Sequence, residues 1–199
     1  FYALPGRMLI AGLSNAKDKG GTTGMATYNN AGKLIAKHDM PTADVGGVKG
    51  DGYGYDIAIN PAKNAMLTSS FTGYKNYMRP LGELIKDGEA MKNFGNTMVL
   101  WDLKAMKPQQ VFAVPGAPLE IRWSLKEGDN WAITATALTS KLWLVKAGAD
   151  VSAIHRGLTP VRVPGVRGLR ADRKDSAALT TALAAAAPAV VVDMTAYTE

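Results

Sequence analysis

The sequence contains no cysteine. That excludes disulfides, thiolate metal sites, iron–sulfur ligation and a cysteine nucleophile. It leaves an oxidising and a reducing compartment equally open. Histidine is scarce: His38 and His155 are the only two, and they share neither a strand face nor a helical i, i+4 spacing. No apolar run is long enough for a membrane helix. The longest, Ala182 to Val192, is interrupted by Pro188 and falls short of the roughly 20 residues a span requires. An initiator methionine, a basic leader and a cleavage site are all missing at the start, so Phe1 reads as an internal beginning. Runs of Lys and Arg interleaved with aromatics are also missing. The net charge of +6 rests on singly scattered lysines, so the basic balance points to neither nucleic acid nor a membrane surface.

What is present is a hydrophobic content of 47%, enough for a core, and an abrupt change of composition near residue 146. Before it the arginines are only Arg7, Arg79 and Arg122; after it come Arg156, Arg162, Arg167, Arg170 and Arg173, with Lys174 the lone lysine. All four tryptophans (Trp101, Trp123, Trp131, Trp143) precede the change, and asparagine is absent beyond it. A linker would be rich in Gly, Ser or Pro. Here the strand-like run Lys141 to Val145 passes straight into Ala147-Gly148-Ala149-Asp150. We therefore divide the chain into residues 1–146 and 147–199, a fragment or chimera of two unrelated pieces. The alternative is one domain with a compositionally biased C-terminal helix.

The first segment alternates short β-prone runs with turn chemistry. Gly24 to Tyr28 and Lys33 to His38 flank Asn29-Asn30-Ala31-Gly32, where Asn and Gly supply the positive φ of a hairpin turn. Tyr55 to Asn60 and Ala65 to Ser70 flank Pro61 to Asn64. Thr97 to Leu103 and Gln110 to Val114 flank Lys104 to Pro108. Met8 to Leu13, Leu119 to Ser124, Trp131 to Ala137 and Lys141 to Val145 complete the strands. Pro80 to Asp87, with Leu81, Leu84 and Ile85, is the one expected helix. Strands at this spacing fit a sandwich, a barrel or a propeller of four-stranded blades.

Particular phrases narrow the choice. Gly52-Tyr53-Gly54-Tyr55-Asp56-Ile57-Ala58-Ile59-Asn60-Pro61, Gly95 to Asp102, Pro118 to Trp123 and Thr139 to Leu144 occur in that order. Together they resemble the selenium-binding protein / methanethiol oxidase family. The resemblance implies a β-propeller, of which this segment would supply about two to three blades. It implies oxidation of methanethiol, a small-molecule thiol, with oxygen and water to formaldehyde, hydrogen sulfide and hydrogen peroxide. It further implies a copper cofactor and, from bacterial members, the periplasm. The family's His- and Cys-bearing stretches fall outside the piece that matches.

Copper takes imidazole, thiolate or thioether ligands, which makes His38 the candidate metal residue of this segment. The methionines are dispersed and read as core filling. Asp56, Glu120 and Arg122 are the candidate catalytic residues. An inward carboxylate on an innermost blade strand lines the central channel, where it holds metal or takes a proton. The other reading of each carboxylate is structural, accepting hydrogen bonds from loop N–H groups or from Arg122, which stands two residues after Glu120 on the same strand face. The glycines between Gly46 and Gly54 lack a following helix and a Gly-Lys-Ser/Thr ending, so they form a turn-rich connection and no phosphate loop.

In the tail, Val151 to His155 and Val166 to Ala171 read as strands. Asp175 N-caps a helix running through Ala187, and Ala189 to Met194 has the apolar run of a buried parallel strand. This order resembles the middle of a Rossmann domain of the NAD-dependent epimerase/dehydratase family. The resemblance implies that Arg156 would favour the 2′-phosphate of NADP, with Asp172 and Arg173 bordering the adenine. The Gly-rich phosphate turn that should precede Val151 is missing. The expected fold class is thus mainly β, a partial propeller followed by a short α/β Rossmann-like fragment. Three functions stand: a methanethiol oxidase piece that lacks a complete site, an NADP-binding oxidoreductase, and a non-catalytic interaction module. An opened propeller would self-associate through its uncovered faces.

Overall fold

Turn chemistry sets the first sheet. Gly6, at φ +78°, reverses the chain between β1 (Tyr2–Leu4) and β2 (Arg7–Ala11). Between β3 (Gly24–Asn29) and β4 (Leu34–Asp39), the Asn29 side-chain oxygen accepts from the N–H groups of Ala31 (3.0 Å) and Lys33 (2.9 Å). That is the local capture for which asparagine is favoured in turns. The result is an antiparallel sheet in the order β1-β2-β3-β4. The structure is a computed structural model, and it describes residues 1–15, 17–18, 23–139, 141–146, 151–155, 166–171 and 175–186.

A second antiparallel sheet follows, ordered β5-β6-β7-β8. Its strands are β5 (Ile57–Asn60), β6 (Ala65–Ser69), β7 (Thr97–Asp102) and β8 (Lys107–Ala113). The β5–β6 turn is a single 3₁₀ turn over Pro61–Lys63, ended by Asn64 in the left-handed region at φ 51°. The β7–β8 turn closes on Asp102, whose Oδ1 accepts from the Ala105 N–H at 2.7 Å. Pro108, expected in the turn, stands inside β8 opposite Trp101, beside a register shift between Leu100 and Trp101. Proline donates nothing to a ladder, and an outer strand interrupted by a bulge is where sheets accept it.

The connection from β6 to β7 departs most from the sequence expectation. In place of one helix over Pro80 to Asp87 there are three single-turn helices: α1 (Tyr74–Tyr77), α2 (Leu81–Leu84) and α3 (Gly88–Met91). Only Leu84 of the expected apolar face is buried, while Leu81 and Ile85 are 70% and 57% exposed. Asp87 ends the run by capturing the N–H groups of Glu89 (3.1 Å) and Ala90 (3.0 Å), so it starts α3 and does not finish α2.

The chain divides into two compact units, Phe1–Ile121 with Thr134–Ser140 and Arg122–Ile133 with Lys141–Glu199. Within the first, Leu9, Met25, Met66, Val99, Trp101 and Val111 belong to one buried cluster drawn from both sheets. Trp101 is 1% exposed and donates its indole N–H to Thr68 Oγ1 at 2.9 Å. Thr68 in turn donates to the Met40 sulfur at 3.7 Å, so the polar atoms of this core are spent within it.

The third sheet runs β13-β12-β11-β10-β9, from β9 (Pro118–Trp123), β10 (Trp131–Thr136), β11 (Leu142–Lys146), β12 (Val151–His155) and β13 (Val166–Arg170). β12 pairs antiparallel with β11 and parallel with β13. α4 (Ser176–Ala186) follows, with the Asp175 carboxylate accepting from the Ala178 N–H at 2.9 Å as the sequence expects of its cap. Leu144, Ala171 and Ala182 form the second unit's buried cluster with Ile133. Strand, strand and helix are therefore present in the tail. The strand standing before Val151, however, runs antiparallel to β12, whereas a Rossmann sheet would continue parallel. The expected strand Ala189 to Met194 lies outside the described residues, as do Arg156, Asp172 and Arg173. Among the described residues no helix is long and apolar enough to cross a membrane.

Candidate functional site

Two of the sequence's candidate residues meet on the backbone of β9. Asp56 directly precedes β5, and its Oδ2 accepts from the Ile121 N–H at 2.8 Å. Its own N–H donates to Ser69 Oγ at 3.1 Å, and Ser69 passes its hydroxyl hydrogen to the Leu119 carbonyl at 2.6 Å. Glu120, between those two β9 residues, accepts from the Tyr55 hydroxyl at 3.0 Å. Asp56 and Ser69 thus clamp β5 and β6 to β9, while the Tyr55 hydroxyl donates to Glu120 alongside. A carboxylate that accepts from a backbone amide is held by the fold, which is the structural reading of Asp56. Arg122 is exposed on the same strand.

His38 lies in the other sheet, on β4. Its Nε2 is 3.2 Å from Thr27 Oγ1. Burial, and then the positive charge of Arg7, hold the imidazole below its ordinary value, with Asp39 pulling the other way. Among the described residues no three His, Cys, Asp or Glu side chains converge as a metal site. One imidazole, turned toward a hydroxyl and beside a guanidinium, does not fit a copper centre by itself.

The residues that sequence reasoning passed over are the tyrosines and Asp51. Asp51 Oδ2 accepts from Ser70 Oγ (2.9 Å) and the Asn96 N–H (2.7 Å), and its Oδ1 accepts from the Tyr53 N–H (3.1 Å). Burial, then the hydrogen bond and charge of Glu120, raise the Tyr55 phenol above its ordinary value. Tyr53 is pushed up to about 12 by burial, with Asp18 and Asp51 adding negative charge. The sequence carried a signal: both tyrosines sit in the Gly52–Pro61 phrase, Tyr55 next to Asp56 and Tyr53 two residues after Asp51.

The folded chain keeps phenol protons that the unfolded chain releases near pH ~10. This stabilisation is complete below that pH and is lost as pH rises toward the folded value of about 12 for Tyr53. Thermal melts at constant ionic strength are expected to fall steadily across that alkaline window, and less steeply in Tyr53→Phe. Equal slopes for the two proteins would remove Tyr53 from this account.

With the geometry in hand, comparison with known proteins gives a consistent result. The sequence matches no protein-family profile. It is 67% identical over 146 residues to the methanethiol oxidase of Hyphomicrobium sp, covering 73% of this chain and 33% of that protein. The chain has methanethiol oxidases as homologues. A second, from Ruegeria pomeroyi, is 54% identical over 152 residues, covering 73% of this chain and 35% of the relative. The chain spans about a third of the length of these curated relatives. Among solved structures, a hypothetical selenium-binding protein from Sulfolobus tokodaii superposes with a TM-score of 0.59 at 18% identity. That match covers 76% of this chain and 33% of the other, and it shows a shared fold. The antiparallel sheets are consistent with a β-rich, propeller-like selenium-binding fold. No epimerase or dehydratase is among these relatives.

Proposed function

We propose that this chain contributes blades to a β-propeller that oxidises methanethiol with oxygen and water to formaldehyde, hydrogen sulfide and hydrogen peroxide. The observation that carries the reading is the 67% identity over 146 residues to a methanethiol oxidase. The two four-stranded antiparallel sheets support it, because a propeller blade is such a sheet. On this reading the chain is a scaffold piece acting in the periplasm, and Glu120 with Tyr55 and Asp56 supports β9 and does not turn over substrate. A copper centre would draw at most one imidazole, that of His38, from the described residues, and its other ligands from elsewhere. The outer strand β4, which carries exposed Leu34 and Ile35, is the edge through which further blades or a second copy would pair.

The test is complementation. The purified chain is mixed with the remaining two-thirds of the Hyphomicrobium enzyme and copper, and methanethiol-dependent peroxide release is measured. Peroxide from the mixture but not from either part alone is the expected result. Turnover by this chain alone would overturn the scaffold reading, and a mixture that forms no complex would overturn the proposal as a whole.

A further inference from the structure

A cleft of about 460 Å³ opens in the first unit beside α1 and α3, within the range of small-molecule sites. Its walls include Asp18, Tyr53, Lys75, Asn76 and Arg79. Tyr53 is 2% and Asn76 5% exposed, so two polar side chains are almost wholly withdrawn from bulk water at its floor. The Asn76 amide nitrogen is committed to the wall, donating to Thr72 Oγ1 (2.9 Å) and to the Ala90 carbonyl (2.8 Å). This fixes the amide orientation and leaves its oxygen as the acceptor offered to the cleft. The Tyr53 hydroxyl has no hydrogen-bond partner among the described residues. Burial holds its proton on, so it presents a donor. Gly73 makes room at this point. A Cβ there would stand 2.7 Å from Asp18 Oδ1 and 3.4 Å from the Tyr53 hydroxyl, so carboxylate and phenol face one spot that a side chain would fill.

The charges sort themselves. Arg79 is held by Asp87 at 2.8 Å and Glu89 by Lys92 at 2.6 Å. Lys17, Lys75 and Asp18, all lining the cleft, have no ion pair among the described residues; Asp18 accepts only the Lys75 backbone N–H, at 3.4 Å. What is left is a buried donor with two ammonium groups, and a carboxylate with a buried acceptor. A dianion would meet Asp18, and a dication would meet the lysines. We propose that this cleft binds a small zwitterion of the free α-amino-acid class. Its carboxylate goes to the Tyr53 hydroxyl and the lysines, and its ammonium to Asp18 and the Asn76 amide oxygen. This site is independent of the β9 cluster and of thiol oxidation.

The experiment is titration calorimetry of the whole chain with each common free L-α-amino acid. The Nα-acetyl and carboxamide derivatives of whichever binds are then titrated. Saturable binding is expected, weakened about tenfold or more in each derivative, because each leaves a buried polar group unpaired. Tyr53→Phe, which keeps the ring, and Lys75→Ala, which removes an exposed side chain with no ion pair among the described residues, are each expected to weaken binding by about tenfold. Three results would overturn the proposal. One is no saturable heat from any amino acid up to about 10 mM. The second is equal binding of an acetylated derivative, and the third is unchanged affinity in both variants.

Discussion

Trp101→Ala is expected to destabilise the chain by about 3–5 kcal/mol, the range for removing a large aromatic side chain from a core. Trp101 is 1% exposed and clusters with Leu9 and Met25 of the first sheet as well as Met66 and Val111 of the second. Truncation would open a cavity between the sheets and strip Thr68 Oγ1 of the indole donor it accepts at 2.9 Å. Since whole domains are stable by only about 5–15 kcal/mol, much of the native population would be lost at physiological temperature. Denaturant midpoints report it directly. A shift below about 1 kcal/mol would mean that the two sheets do not share a core at this residue.

Gly24→Ala acts on the first sheet by a different route. Gly24 lies opposite Asp39 in the β3–β4 ladder with φ +153°, a conformation that side-chain-bearing residues rarely adopt. A Cβ there would fall 1.9 Å from the His38 carbonyl oxygen and 2.9 Å from the Asp39 Cα. The obstruction is backbone, which cannot rotate away. The two strands must separate at this end, at a cost of at least about 1–3 kcal/mol. Hydrogen exchange is the sensitive readout, because the Met40 N–H bonded to the Thr23 carbonyl at 3.1 Å should lose protection before the rest of the sheet. Gly32→Ala is the control: Gly32 also has positive φ, +73°, but nothing lies within 4 Å of its Cβ position. Its cost should be only the conformational one, about 1 kcal/mol. Equal effects of the two substitutions would show that crowding against β4 plays no part.

These residues show what sequence reading reaches. The hairpin at Asn29 to Gly32 was legible because its chemistry is local: one side chain caps N–H groups two and four residues away. Most strands of the first unit were legible for the same reason. The helical segment after Pro80 was misjudged because the spacing of Leu81, Leu84 and Ile85 imitates an amphipathic face, while Asp87 diverts the backbone into a new turn. Of the candidate carboxylates, Asp56 and Glu120 could be named from their strand positions. Their partners Ile121 and Tyr55 are 65 residues distant, and nothing local announces such a pairing. The cleft was invisible for a stronger version of this reason. Asp18, Tyr53 and the Gly73–Asn76 turn come from three separate segments, and each looks ordinary in its own sequence neighbourhood.

The strand order of the first two sheets carries a kinetic consequence. In each, every strand pairs with the one just before it in the chain, so the four hairpins with short loops, β1–β2, β3–β4, β5–β6 and β7–β8, can zip from their turns without a distant search. The pairing of β6 with β7 is different, because residues 70–96 intervene. Closing that long loop costs chain entropy before any ladder bond rewards it. Refolding should therefore pass through early local hairpins, with the β6–β7 junction the slow, late closure. The Thr72, Asn76 and Asn93 hydrogen bonds within that insertion would hasten it by shortening the effective loop.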